Sequence, residues 1–146
     1  MPIKFAVENR DDLRLVVYRY SGHIHPKDVL DSLTRAVSQL APNQPYHELL
    51  IFEHDSDLSD FDSASLARLY QDSSELYRKR NLGPRTAAAM LDASMDAKII
   101  MPLFNALSLK GGGVALGFEL FTEVEPALRW LGIPIDKGME IVARAA

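Results

Sequence analysis

The chain has 146 residues, 47% of them hydrophobic and 25% charged. That is the composition of one globular domain, 1–146, able to bury about 70% of the surface its unfolded form exposes. It has no cysteine, which excludes a disulfide, a thiolate nucleophile and a cysteine-based metal centre, and fits a reducing, cytoplasmic setting. The formal charge of −4 argues against a nucleic-acid binder; no stretch approaches the ~18 uninterrupted apolar residues of a membrane span, and MPIKFAVENRDD lacks the apolar core of a signal peptide.

Ile3 to Glu8 and Leu13 to Tyr20 are apolar-rich runs separated by Asn9, Arg10, Asp11 and Asp12, which predicts a hairpin. Gly22 ends the second run. Pro26 opens a helix, where its missing N–H costs nothing, and Leu30, Leu33, Val37 and Leu40 give that helix one apolar stripe. Pro42, Asn43 and Pro45 break it. Leu49 to Phe52 is a short continuous apolar run, the mark of a strand buried on both faces.

A second helix is predicted from Ser63 to Arg80, with a stripe of Leu66, Leu69, Tyr70, Leu76 and Tyr77, and with Gly83 and Pro84 punctuating its end. The basic trio Arg78, Lys79 and Arg80 complements the negative end of its dipole. Thr86 to Leu91 is the next strand, despite three alanines. A third helix is expected from Met95 to Leu109, kinked or broken at Pro102. Gly111 to Gly113 turn the chain into a strand over Val114 to Phe121. Such glycines cradle phosphates when they precede a helix; here they precede a strand.

The last firm helix covers Glu123 to Leu131. Thr122 and Glu125 have capping-box spacing, although Pro126 favours a start nearer Glu125. Gly132 and Pro134 stop it, and Ile135 to Ala146 is read as a further short helix. The expected fold class is therefore α/β: an N-terminal β-hairpin followed by βαβαβα units, giving a mostly parallel five-stranded sheet covered by helices.

Two phrases carry a resemblance. ELFTEVEPALRWLG places Phe121, Ala127, Trp130, Leu131 and Gly132 in the pattern F-x5-A-x2-W-L-G, and VVYRYSGHIHPKDVLDSL is a Val- and Tyr-rich strand, a glycine and a proline-opened helix. The chain thus resembles the SpoIIAA-like branch of the STAS domain superfamily, which is related in fold to CRAL-TRIO domains. The resemblance implies a non-enzymatic protein-interaction or regulatory domain with an unidentified protein partner, acting as a homodimer. Its CRAL-TRIO side implies an alternative, a binder of a small apolar or lipid-like ligand. STAS domains that antagonise anti-sigma factors carry D-S-S-G-L at a helix start, where the second serine accepts phosphate. Here Asp62-Ser63-Ala64-Ser65-Leu66 places Ala64 at that serine and Ser65 at the glycine, so the switch itself does not transfer.

Several side-chain groups invite a site. The loop from Glu53 to Asp62 packs carboxylates and hydroxyls where parallel sheets favour ligands. Asp55, Asp57 and Ser59 have the opening spacing of a calcium loop, but Asp60 replaces its turn glycine and Leu66 its bidentate glutamate. Ser63 and Ser65 are candidate phosphate acceptors at a helix N-terminus, against the plainer role of Asp62 or Ser63 as its cap; a Ser63→Ala change is then expected to lose mainly stability. His54, flanked by Glu53 and Asp55, is a candidate general base with no nucleophile placed beside it. His23 and His25, two apart on an extended chain, are expected to point to opposite faces and to chelate poorly. Ile99, Ile100, Met101, Leu103, Phe104 and Leu107 make a helix apolar on more than one side, suited to core packing, a dimer surface or the wall of an apolar-ligand site. The candidate partner- or ligand-binding set is Asp62, Ser63, Ser65, Ile99, Leu103, Phe104 and Leu107. No catalytic residue, metal or cofactor is expected.

Overall fold

The computed structural model describes residues 2–96, 98, 101–104 and 115–146. Ile3–Arg10 (β1) and Leu13–Tyr20 (β2) form an antiparallel hairpin whose register runs unbroken from Ile3 opposite Tyr20 to Arg10 opposite Leu13. The turn is shorter than expected, because Asn9 and Arg10 stay in the strand and leave only Asp11 and Asp12 to reverse it. Pro26–Val37 (α1) leads to Tyr46–Phe52 (β3), then Ser63–Lys79 (α2) to Arg85–Leu91 (β4). Met101–Phe104 (α3) precedes Ala115–Phe121 (β5), and Val124–Leu131 (α4) and Ile135–Arg144 (α5) close the chain.

The sheet order is β1-β2-β3-β4-β5, with every pair after the hairpin parallel. This is the architecture that the SpoIIAA-like resemblance implies: an α/β fold with a mixed, mostly parallel five-stranded sheet between helices.

Strand alternation assigns each residue to one of two cores. Val16, Tyr18, Tyr20, Tyr46, Leu50, Phe52, Ala87 and Ala89 face α1 and α2. Leu15, Val17, Leu49, Ile51 and Ala88 face α4 and α5. Both faces of β3 are covered, which is why its residues read as an uninterrupted apolar run. The alanines of β4 weaken its intrinsic strand preference, yet Ala87, Ala88 and Ala89 are at most 1% exposed. Burial between two helical layers overrides the propensity.

One charged pair interrupts the first core. Arg85 Nε lies 3.2 Å from Glu48 Oε1, with both side chains almost wholly buried, and the guanidinium sits 4.1 Å over the Tyr77 ring. Burial pushes the Glu48 carboxyl above its ordinary range, and Arg85 and the Tyr46 hydroxyl pull it back. The Tyr18, Tyr20, Tyr46 and Tyr77 hydroxyls are all raised, first by burial and then by the Glu48 charge.

The helix ends correct two expectations. Met95 lies in a turn closed by its N–H on the Asp92 carbonyl at 2.9 Å. The described part of the third helix is Met101–Phe104 (α3), and Pro102 lies within it. The cap of α4 is Glu123, in extended conformation and without a side-chain cap bond. Thr122 and Glu125 thus do not form the expected box. Pro126 falls third in the helix, where the backbone N–H has no intrahelical partner to lose. Gly132 ends α4 in the left-handed region at φ 75°, and the Ile133 N–H reaches the Leu128 carbonyl at 2.9 Å. Residues 105–114, which include the expected glycine turn, lie outside the described residues.

Candidate functional site

The parallel pairing of β2 with β3 brings the segments that leave their C-terminal ends together. Gly22, at φ 68°, turns the chain out of β2, a conformation that favours glycine. His23 then forms an isolated parallel bridge with Asp57, in the loop after β3. The Asp57 N–H donates to the Gly22 carbonyl at 2.8 Å, and the Ile24 N–H donates to the Asp57 carbonyl at 3.0 Å. Two loops distant in sequence are thereby held as a short extra rung of the sheet.

Four side chains converge above that rung. His23 Nδ1 lies 2.9 Å from Asp57 Oδ2, and His23 Nε2 lies 2.8 Å from Asp60 Oδ2. His25 Nδ1 lies 2.6 Å from the same Asp60 oxygen. The two imidazoles meet edge to face with centroids 4.6 Å apart. This overturns the expectation that they point apart. Residues two apart diverge only on a regular strand; here the chain has left β2, and His25 caps α1, where its N–H donates to Asp28 Oδ2 at 3.0 Å. Among the described residues, His23, His25 and Asp60 form the single group with three metal-ligating side chains in reach of one another.

The cluster is exposed and electrostatically coupled. Hydrogen bonding to Asp57, then to Asp60, raises the His23 imidazole above its usual value. The reciprocal bond from His23, followed by those from Ser59, holds the Asp57 carboxyl down at about 2. Asp57 is therefore committed to His23 and to the Ser59 N–H, 3.0 Å from its other oxygen. A calcium loop would instead need that carboxylate to converge with Asp55. His54 is exposed and is not part of the cluster, and Glu53, the other carboxylate beside it, is ion-paired with Arg19.

The start of α2 adjoins this cluster. Asp62 is the cap: its Oδ1 accepts from the Ser65 N–H at 2.8 Å, and Ser65 Oγ donates back to the Asp62 carbonyl at 3.0 Å. The Ser65 N–H lowers the Asp62 pKa. Ser63 is the first helical residue and is exposed. Of the two residues expected for the cap, Asp62 fills it, so the stability cost falls on Asp62 and not on Ser63. We expect Asp62→Ala to lower the thermal midpoint by about 3 °C and Ser63→Ala to leave it within about 1 °C, read by circular-dichroism melting. Asp62 has its folded pKa depressed, so its contribution is present above its unfolded pKa and is lost as pH falls through the folded one; the gap between wild type and Asp62→Ala should close in acid.

The rest of the candidate set divides. Leu103 is 1% exposed and packs in the core shared by α1 and α2. Phe104 lies in α3, while Ile99 and Leu107 lie outside the described residues. The signal that could have found the histidine cluster was the pair of polar segments directly after β2 and β3, since parallel neighbouring strands deliver such segments to one edge.

Among the described residues no helix is long and apolar enough to cross a membrane. Neither the protein-family models nor the curated proteins give a match to this chain. Among solved structures the chain is similar to an uncharacterized protein of the DUF3478 family, with a SpoIIAA-like fold, from Shewanella loihica PV-4. The two share 13% identity with a TM-score of 0.44, over 88% of this chain and 93% of that one.

Proposed function

We propose that this chain is a non-enzymatic protein-interaction domain, working as a homodimer, whose partner-facing surface is the polar shelf at the C-terminal ends of β2 and β3. The observation that carries the reading is a shelf that is both exposed and pre-organised. His23, His25, Asp57, Asp60 and Asp62 stand in solvent, yet backbone and side-chain hydrogen bonds hold Asp57, Asp60 and Asp62 in place. Such a surface binds without the ordering cost of a floppy loop. The SpoIIAA-like words of the sequence support the same class of function. The excess of carboxylates from Glu53 to Asp62 favours a partner that presents basic side chains.

The test is a photo-cross-linking amino acid placed at Ser63, on the shelf, or at Asp12, in the hairpin turn at the opposite end of β2. Exposure of each protein in cell extract should give a discrete adduct from position 63 alone. Equal adducts from both positions, or none from either, would overturn the reading, and a monomeric mass by native mass spectrometry would overturn its homodimer part.

A second reading, a small apolar ligand, is favoured by a different feature. An open depression of about 390 Å³ at the C-terminal ends of β4 and β5 is lined by Leu91, Met95, Leu120, Phe121 and Pro126, with Asp92, Thr122 and Glu123 also on its wall. That volume is in the range of small-molecule sites. Native mass spectrometry of freshly purified protein decides it: an extra mass lost on denaturation supports a carried ligand, and a bare subunit mass removes the reading.

A further inference from the structure

We propose that His23, His25 and Asp60 bind one divalent transition-metal ion of the zinc class, with Asp57 orienting His23. The site does not rest on the interaction reading, because it is complete within one chain.

The donor set is the first argument. Two imidazole nitrogens and one carboxylate oxygen lie within 4.8 Å of one another. That mixture suits Zn²⁺ and its neighbours, whereas Ca²⁺ and Mg²⁺ take oxygen. The second argument is geometry. His23 Nε2 and His25 Nδ1 stand 2.8 Å and 2.6 Å from the one Asp60 oxygen. A tetrahedral ion with bonds of about 2.0–2.2 Å separates its donors by roughly 3.3 Å. The two nitrogens need to move about 0.5 and 0.7 Å further from the Asp60 oxygen, which small χ rotations of exposed groups supply.

The third argument is the supporting carboxylate. With the ion in place, Asp57 Oδ2, 2.9 Å from His23 Nδ1, would accept the Nδ1–H and leave the Nε2 lone pair for the ion beside Asp60. A metal-ligating histidine is typically oriented by such an outer carboxylate. Asp57 is itself fixed by the Ser59 N–H, the Gly22 carbonyl and the Ile24 N–H. The three ligand side chains are 47%, 58% and 40% exposed, so a fourth position faces solvent, open to water or to a donor from another molecule.

The experiment uses the full chain, stripped with a chelator and titrated with ZnCl2 by calorimetry, with native mass spectrometry for stoichiometry. One zinc per chain is expected. His23→Ala and His25→Ala should each weaken binding by about 100-fold or more, and Asp57→Asn by about 10-fold, while His54→Ala leaves it unchanged. Long-range ¹H–¹⁵N spectra of the unsubstituted protein should show zinc shifting the imidazole nitrogens of His23 and His25, and not those of His47 and His54. This second measurement needs no variant to fold. Absence of saturable uptake, shifts confined to other histidines, or undiminished binding by the His23→Ala/His25→Ala double variant would overturn the site.

Discussion

Arg85→Ala is expected to cost about 3–5 kcal/mol of folding free energy, because it leaves the Glu48 carboxylate buried without its cation. Glu48 is 3% and Arg85 1% exposed, so water cannot replace the lost partner without opening the core. The variant also removes the guanidinium stacked 4.1 Å over Tyr77. Urea unfolding reads the loss. Replacing both residues with methionine should recover most of it, since the pair as a whole roughly breaks even against apolar residues of similar volume. A double variant no more stable than Arg85→Ala would mean that packing, and not the stranded charge, set the cost. The pH dependence gives a second check. Burial raises the Glu48 pKa, so its favourable contribution is full below the unfolded carboxyl value and is lost as pH rises through the folded one. Removing Arg85 takes away a charge that lowers that pKa. The penalty of Arg85→Ala should therefore be larger at about pH 7.5 than at about pH 5.

Gly83→Ala should destabilise the fold by about 3 kcal/mol or more, for a steric reason. A Cβ at this position would stand 2.2 Å from the Gln44 carbonyl oxygen, 2.5 Å from its carbon and 2.8 Å from its nitrogen. These are backbone atoms, and they cannot step aside. The Asn43 N–H bonds the Asn81 carbonyl at 2.8 Å, and the Tyr46 N–H bonds the Pro84 carbonyl at 3.1 Å, clamping the two segments on either side. Gly138 is the instructive contrast. Its added Cβ would meet Leu128 Cδ1 at 2.6 Å and Cδ2 at 2.8 Å, the movable end of a side chain. Alanine also gains helix propensity there, so Gly138→Ala should cost only about 1 kcal/mol net. Thermal melting of the two variants side by side measures the difference. Equal losses would show that the Gln44 backbone yields as readily as a leucine side chain.

Local chemistry made much of this architecture readable. Pro26 does open α1, Gly132 with Pro134 does end α4, and the apolar run at Leu49 to Phe52 is a strand covered on both faces. These are decisions within a few residues, where φ restriction, missing donors and hydrophobic period act directly. Reading failed where context overrode period. The polar residues Tyr46 to Glu48 extend β3 backwards, Tyr46 pairing with Arg85 in register and the Glu48 carboxylate meeting the Arg85 guanidinium, and Met95 left the third helix for a turn made by Asp92. Gly83 read as helix punctuation, whereas its structural reason is the neighbouring Gln44 backbone.

The sequence by itself determined the α/β class, the hairpin followed by alternating helices and strands, and the segments that carry polar side chains. It also decided that chemistry at any site must come from oxygen, nitrogen or thioether donors, since cysteine is absent. Only the tertiary structure decided which of those side chains meet. His23 is 34 residues from Asp57 and 37 from Asp60, and only the parallel pairing of β2 with β3 places them at one edge. A local pattern reports which face a residue occupies. The company it keeps there is set by strand order, which is a property of the whole chain.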